Sequence, residues 1–330
     1  MKNLKRILLL GMVLTMFTAC GKKNPTVSDN AADPTYVAPI VSINNTVSEP
    51  EATPETPVSV VQTTISEDEP IEPVNDAGLH HVEIATLADQ RDQLLSEAST
   101  LAVMEQVYDY NKQIAELNNY DFTDMKITCL GDSITYGLGG KTNEYGNQVS
   151  YADYLGDILG CEIVKLGVPG SAIGNYGSDT SFLYRVKEIP EDTDIIIVFG
   201  GINDYLCGNS VFGSEEVKDG KYYGDVEKLF KDIREAFPDT PMFVVLNYQT
   251  ALEDMDELKD VYSLDMWLDV QRSYATQYDF YKIEMYRNGF MNSKVPEIRS
   301  ALFYDEIHPN DSGYLAIARY IAAKIIQVYN

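Results

Sequence analysis

From Asp121 onward, short apolar runs alternate with stretches in which apolar positions recur every three or four residues. The runs Lys126–Leu130, Glu162–Leu166, Asp194–Phe199, Met242–Leu246 and Tyr281–Met285 have strand length and are mostly Val, Ile, Leu and Phe. Between them the spacing predicts helices over Ser150–Leu159, Phe182–Lys187, Asp225–Phe237 and Leu264–Tyr278, with a last helix over Tyr314–Tyr329. Strands that read as continuous apolar runs are buried on both faces, as in a parallel sheet covered by helices. The expected fold is therefore α/β, a three-layer α/β/α arrangement around a five-stranded parallel sheet. Ligands in such sheets bind beyond the carboxyl ends of the strands, which makes polar residues at those ends candidates for chemistry.

Upstream the pattern differs. Ile84 to about Asn118 reads as one helix, with Leu87, Leu94, Leu101 and Tyr108 at heptad spacing. Arg91 and Glu105 interrupt the companion positions, so a coiled-coil seam is poor. The helix is expected to lie against the C-terminal domain or to form a short stalk. From Gly21 to about Glu83 the chain is rich in Pro, Thr, Ser, Val and acidic residues without periodicity. Such a stretch buries too little apolar surface to offset its ordering entropy and is expected to be a disordered tether. As a coil it would span roughly 45 Å.

At the N-terminus, Lys2, Lys5 and Arg6 precede an apolar run from Ile7 to Phe17 that ends in Thr18-Ala19-Cys20. A basic segment, a short apolar core and small residues describe a secretory signal, and the run is too short for a comfortable membrane span. Cysteine directly after the small residues resembles a lipobox, although Phe17 stands where leucine is usual. That resemblance implies diacylglycerol transfer to Cys20, cleavage before it, and a lipoprotein anchored to the cell membrane outside the cytoplasm. The expected organisation is a signal peptide (1–19), a tether (20–83), a helical segment (84–120) and an α/β domain (121–330).

Acidic residues outnumber basic ones by 51 to 25, a formal net charge of −26. A field of that sign repels phosphate backbones, so nucleic acid is not an expected partner. Apart from Cys20 the cysteines are Cys129, Cys161 and Cys207, an odd number that argues against a disulfide framework. Buried thiols are the simpler expectation for Cys129 and Cys161, and a bridge between them stays open. His80 and His81 fall in low-complexity sequence, leaving His308 alone in the folded region. A histidine-rich metal site is therefore out of reach, and neither metal nor organic cofactor is expected.

The chemistry-bearing residues sit at the predicted strand ends. After the first strand comes Gly131-Asp132-Ser133-Ile134-Thr135. One reading places Ser133 on a tight turn at the start of a helical turn, where a helix N-terminus favours negative charge. A phosphate loop through Gly139-Gly140-Lys141-Thr142 needs glycine where Thr135 stands, and fails on spacing. A serine needs a base to become a nucleophile. Asp305-Glu306-Ile307-His308-Pro309 supplies an imidazole and, three residues upstream, a carboxylate able to orient it. The third strand ends in Gly200-Gly201-Ile202-Asn203-Asp204, whose Asn203 amide is either part of a mere turn or a donor to an oxyanion. The second strand ends in Gly167-Val168-Pro169-Gly170-Ser171, where a glycine N–H could reach the same point.

Together Gly131-Asp132-Ser133, Gly170, Gly201-x-Asn203-Asp204 and Asp305-x-x-His308 resemble, in order, the sequence blocks of the SGNH (GDSL) hydrolase superfamily. The resemblance covers about Asp121 to Asn330 and implies a flavodoxin-like SGNH hydrolase fold. It also implies a Ser133–His308–Asp305 triad and an oxyanion hole formed by Ser133 N–H, Gly170 N–H and the Asn203 side chain. Gly167 stands where the second block often has asparagine. The Gly-x-Ser-x-Gly elbow of α/β-hydrolases is absent. The resulting expectation is a serine esterase acting through an acyl-enzyme, most of all an O-deacetylase of a surface carbohydrate. A lysophospholipase or other lipid esterase, an acyltransferase, and a non-catalytic binding lipoprotein are the alternatives. Tyr136, Tyr145, Tyr205, Tyr222, Tyr223, Tyr248 and Tyr304 are candidate rim residues suited to sugar rings, and Leu206–Gly224 is a candidate lid.

Overall fold

The computed structural model describes residues 76–97, 100–174, 179–207, 211–255, 258 and 262–330. The signal segment, Cys20 and nearly all of the tether lie outside the described residues. Five strands appear where the apolar runs predict them: β1 Lys126–Gly131, β2 Glu162–Gly167, β3 Ile195–Phe199, β4 Met242–Leu246 and β5 Tyr281–Glu284. Their order is β2-β1-β3-β4-β5 and every neighbouring pair is parallel. This order runs outward from β1 in both directions, which opens a crevice at the carboxyl ends of β1 and β3.

The helices are α1 Asp76–Glu97, α2 Leu101–Glu116, α3 Ser133–Tyr136, α4 Tyr151–Leu159, α5 Phe182–Arg185, α6 Ile202–Cys207, α7 Tyr222–Ala236, α8 Leu264–Gln277, α9 Pro296–Leu302 and α10 Asp311–Tyr329. β3 explains why they form two layers. Ile195, Ile197 and Phe199 enter one core with α4 and α10, while Ile196 and Val198 enter the other with α7 and α8. Alternate residues of a strand point to opposite faces, so a wholly apolar strand needs a cover on each side. α10 begins three residues earlier than its apolar pattern suggests, because the Asn310 side chain accepts the Gly313 N–H and caps it.

Two upstream expectations are corrected. The segment read as one helix is a hairpin of α1 and α2, and α2 opens at Thr100, whose hydroxyl accepts the Val103 N–H. Residues 76–83, read as the end of the tether, are helical, and with them His80 and His81. The hairpin is antiparallel: His80 Nδ1 lies 3.2 Å from Leu117 O, and Arg91 Nη1 donates to Asn111 Oδ1 at 3.1 Å. It lies against the α/β domain, with Ile84, Ala88, Met104, Val107 and Ile114 in the same core as Ile317 and Ile321 of α10. Arg91 does not interrupt the packing. It is fully buried because Asp92, Asn111 and Gln327 accept its N–H groups.

The register also settles the thiols. Cys129 is paired with Lys165, four residues beyond Cys161, a separation of roughly 13 Å along the strand. A disulfide tolerates about 7 Å, and both thiols are free. Burial pushes the Cys129 thiol up to about 12, as an inert core group requires. Among the described residues no helix is long and apolar enough to cross a membrane.

Candidate active site

The site assembles at the carboxyl ends of β1, β2 and β3, and on the loop before α10. Gly131 ends β1 in a place where a Cβ would lie 1.9 Å from Thr135 Oγ1 and 2.9 Å from Phe199 O. Only glycine lets the chain turn this closely into α3. Asp132 caps the turn, its carboxylate accepting the Ile134 N–H at 2.9 Å. Ser133 is the first residue of α3, so its N–H has no partner within the helix. α3 is the single helical turn expected, too short for a macrodipole, so the usable feature is the Ser133 N–H itself.

Although 175 positions apart in the chain, Ser133 Oγ and His308 Nε2 lie 3.0 Å apart. On the other side of the ring, His308 Nδ1 is 2.8 Å from Asp305 Oδ2. The second carboxylate oxygen, Asp305 Oδ1, accepts the backbone N–H groups of Ile307 and His308 at 2.8 and 2.7 Å. Burial alone would raise the Asp305 pKa. The His308 hydrogen bond and charge, with those two N–H donors, outweigh it and hold the group below the ordinary carboxylate range. An ionised Asp305 can only accept, so Nδ1 carries the hydrogen and Nε2 presents its lone pair to the Ser133 hydroxyl.

The loop carrying His308 is held by its carbonyls. Tyr248 donates to Ile307 O at 2.5 Å, and Thr250 and Ser293 donate to Glu306 O at 2.9 and 2.5 Å. A bridge between Phe303 and Pro309 closes its neck. These three donors follow β4 or precede α9, and no local pattern in the sequence marks them as part of the site. By sequence position Tyr248 is a rim candidate. It is fully buried and serves the loop.

Asn203 and Gly170 approach from β3 and β2. The Asn203 amide donates to Ser171 O at 2.9 Å and lies 3.4 Å from Asp132 Oδ2, with 8% of the residue exposed. Gly170 sits at φ 75° in a turn closed by Ser171 N–H on Val168 O. With Pro169 before it this suits a type II turn, which favours glycine at that position. Gly167 is glycine for a different reason: a Cβ there would lie 2.2 Å from Tyr136 N. The loop beyond is tied by Asp204, whose carboxylate accepts the N–H groups of Ile173 and Gly174 at 2.8 and 3.3 Å. Asp132, wholly buried beneath Ser133, has its carboxyl pushed up to about 7 by burial, against the pull of the Ile134 N–H, His308 and Arg185.

Of the tyrosines expected at the rim, Tyr136, Tyr145 and Tyr304 are exposed, whereas Tyr205 and Tyr222 are core residues. The candidate lid is packed down in part. Val211 O and Phe212 O accept the N–H groups of Tyr222 and Tyr223, and the Phe212 ring packs against Tyr222 and Trp267. Aromatic burial anchors this part of the segment to α7 and α8.

Residues 129–316, more than half of the chain, match the GDSL-like Lipase/Acylhydrolase family. A crystal structure of a Lactobacillus plantarum protein is 26% identical, with a TM-score of 0.53, over 60% of this chain and 95% of its own. A lipase/acylhydrolase from Enterococcus faecalis is 18% identical with a TM-score of 0.45, covering 61% of this chain and 95% of its own. An acetylxylan esterase from Geobacillus stearothermophilus is 17% identical with a TM-score of 0.43, at 62% and 95%. No curated protein sequence matches the chain. With the family's span covering both Ser133 and His308 on a five-stranded parallel sheet, the chain belongs to the GDSL-like lipase/acylhydrolase family of the SGNH hydrolase superfamily and is a carboxylic ester hydrolase.

Proposed function

We propose that the chain is a serine O-deacetylase of carbohydrate esters that works through a Ser133–His308–Asp305 triad. The observation that carries this reading is the unbroken hydrogen-bonded line from Ser133 Oγ through the His308 ring to Asp305. As Ser133 attacks the ester carbonyl, His308 Nε2 takes the hydroxyl proton, and Asp305 stabilises the imidazolium that results. The oxyanion is met by the N–H groups of Ser133 and Gly170 and by the Asn203 amide, which turns to it the hydrogen whose resting acceptor is Asp132 Oδ2, the longer of its two contacts at 3.4 Å. Protonated His308 gives its proton to the departing alcohol. Water, deprotonated by the same ring, then releases the acid and restores the serine.

The carbohydrate part rests on the rim. Tyr136 follows Ser133 by three residues and is 40% exposed, and Tyr304 precedes Asp305 and is 57% exposed. Flat faces with a hydroxyl at the edge suit sugar rings better than acyl chains. The experiment is a panel of O-acetylated xylan, O-acetyl peptidoglycan and a long-chain lysophospholipid, offered to purified residues 76–330. Acetate release from a glycan with little fatty-acid release is expected. The reverse order would replace this reading with a lipid esterase, and inactivity on all three with 4-nitrophenyl acetate would leave the binding lipoprotein.

In the same reading Cys20 carries a diacylglycerol anchor and the acidic tether holds the enzyme outside the cytoplasm. The Lys2–Arg6 basic segment, the Ile7–Phe17 apolar run and Thr18-Ala19 before the cysteine support it. Cys20→Ala is expected to move the protein from the membrane fraction to the medium. Unchanged membrane retention would count against the anchor.

A further inference from the structure

Arg185, at the end of α5, is 2% exposed, and its fork is spent on the active-site frame. Nη2 donates to Gly131 O and to Ser171 Oγ, both at 2.8 Å. Nη1 donates to Leu166 O at 2.7 Å, and Nε to Thr180 O at 2.8 Å. The four acceptors belong to three segments. Gly131 leads directly into Asp132-Ser133, Leu166 lies near the end of β2, and Ser171 and Thr180 lie between Gly170 and α5. Ser171 extends the link by donating its own hydroxyl to Thr180 O at 2.5 Å. From the opposite side Asn203 holds Ser171 O, and Asp204 holds the N–H groups of Ile173 and Gly174.

A buried guanidinium is costly to desolvate, and a core strut could be built from apolar side chains. What the fork provides is a fixed distance between backbone carbonyls, in a planar geometry that lysine cannot reproduce. We propose that Arg185 is a positioning residue that sets the Val168–Ser171 turn, and with it the Gly170 N–H, against the Ser133 turn. This rests on the reading of Ser133 as nucleophile and Gly170 as oxyanion donor. Donors must stand 2.7–3.1 Å from where the oxyanion forms, a position the bound ester does not yet occupy. Loss of the strut therefore raises the barrier to acylation and leaves ground-state binding nearly unchanged.

The test uses Arg185→Lys and Ser171→Ala with 4-nitrophenyl acetate, beside Ser133→Ala, with thermal melting of each protein. kcat should fall roughly 100-fold in Arg185→Lys and roughly 10-fold in Ser171→Ala, with KM within about twofold of the parent. The double variant should be little worse than Arg185→Lys alone, since both remove one link. A lower melting temperature with kcat per folded molecule within about threefold of the parent would mark a merely structural arginine and overturn the proposal. If Arg185→Lys does not fold, Ser171→Ala decides alone, and an unchanged kcat there overturns it. An active Ser133→Ala would instead overturn the nucleophile reading underneath.

Discussion

Replacing Ser133 with alanine is expected to lower turnover of 4-nitrophenyl acetate on the order of 10⁵-fold, and His308→Ala by a similar factor. Ser133 Oγ lies 3.0 Å from His308 Nε2, and the imidazole is nearly buried at 1% exposure, so bulk water has little access to replace it as base. Asp305→Asn should cost less, roughly 10³- to 10⁴-fold, and by a different route. An amide in place of Oδ2 can donate to Nδ1, which favours the tautomer whose Nε2 bears hydrogen and cannot accept from serine. The group also loses the anion that stabilises imidazolium. Because the three act as one unit, a Ser133→Ala/His308→Ala double variant should be no slower than either single one. The measurement is steady-state turnover with melting curves to confirm folding. Additive losses, or a Ser133→Ala enzyme within tenfold of the parent, would dismiss the triad.

Much of this site was legible because its parts obey local rules. The run of β3 is apolar at every position, which only a two-sided parallel strand tolerates, and Gly131 marks a turn too tight for a Cβ. What escaped the sequence depends on distance. Nothing near Arg185 reveals that its partners are Gly131 and Leu166, 54 and 19 positions away. The same holds for Tyr248 and Ser293, whose partners lie on the His308 loop. The hairpin is hidden in the sequence for a different reason. Leu87, Leu94, Leu101 and Tyr108 keep heptad spacing straight through the break, and the stronger signal was the Thr100 cap before an apolar run. Exposure of tyrosines was unreadable as well, since an aromatic next to a glycine-rich turn serves equally as core or rim.

Deleting residues 76–119 is expected to leave an insoluble protein, even though the family match begins only at residue 129. The hairpin places Ile84, Ala88, Leu95, Met104, Val107 and Ile114 in the core, each no more than 4% exposed. Burying a large aliphatic side chain contributes about 1.5–3 kcal/mol, so the set approaches the 5–15 kcal/mol that holds a whole domain together. Removal would also bare the face of α10 that meets Arg91 and Tyr108: Arg91 lies 5.2 Å from the Tyr320 ring centre, and Arg319 lies 4.0 Å from that of Tyr108. That face belongs to the helix whose N-terminus follows directly on the His308 loop, so damage there reaches His308. Ile114→Ala tests the same contact more gently. Its buried side chain predicts a loss of about 3 kcal/mol and a melting temperature lower by about 9 °C, with turnover per folded molecule unchanged. A soluble deletion variant melting at the parent's temperature would show instead that the hairpin is an ornament, and that the core of the enzyme ends at the sheet and its own helices.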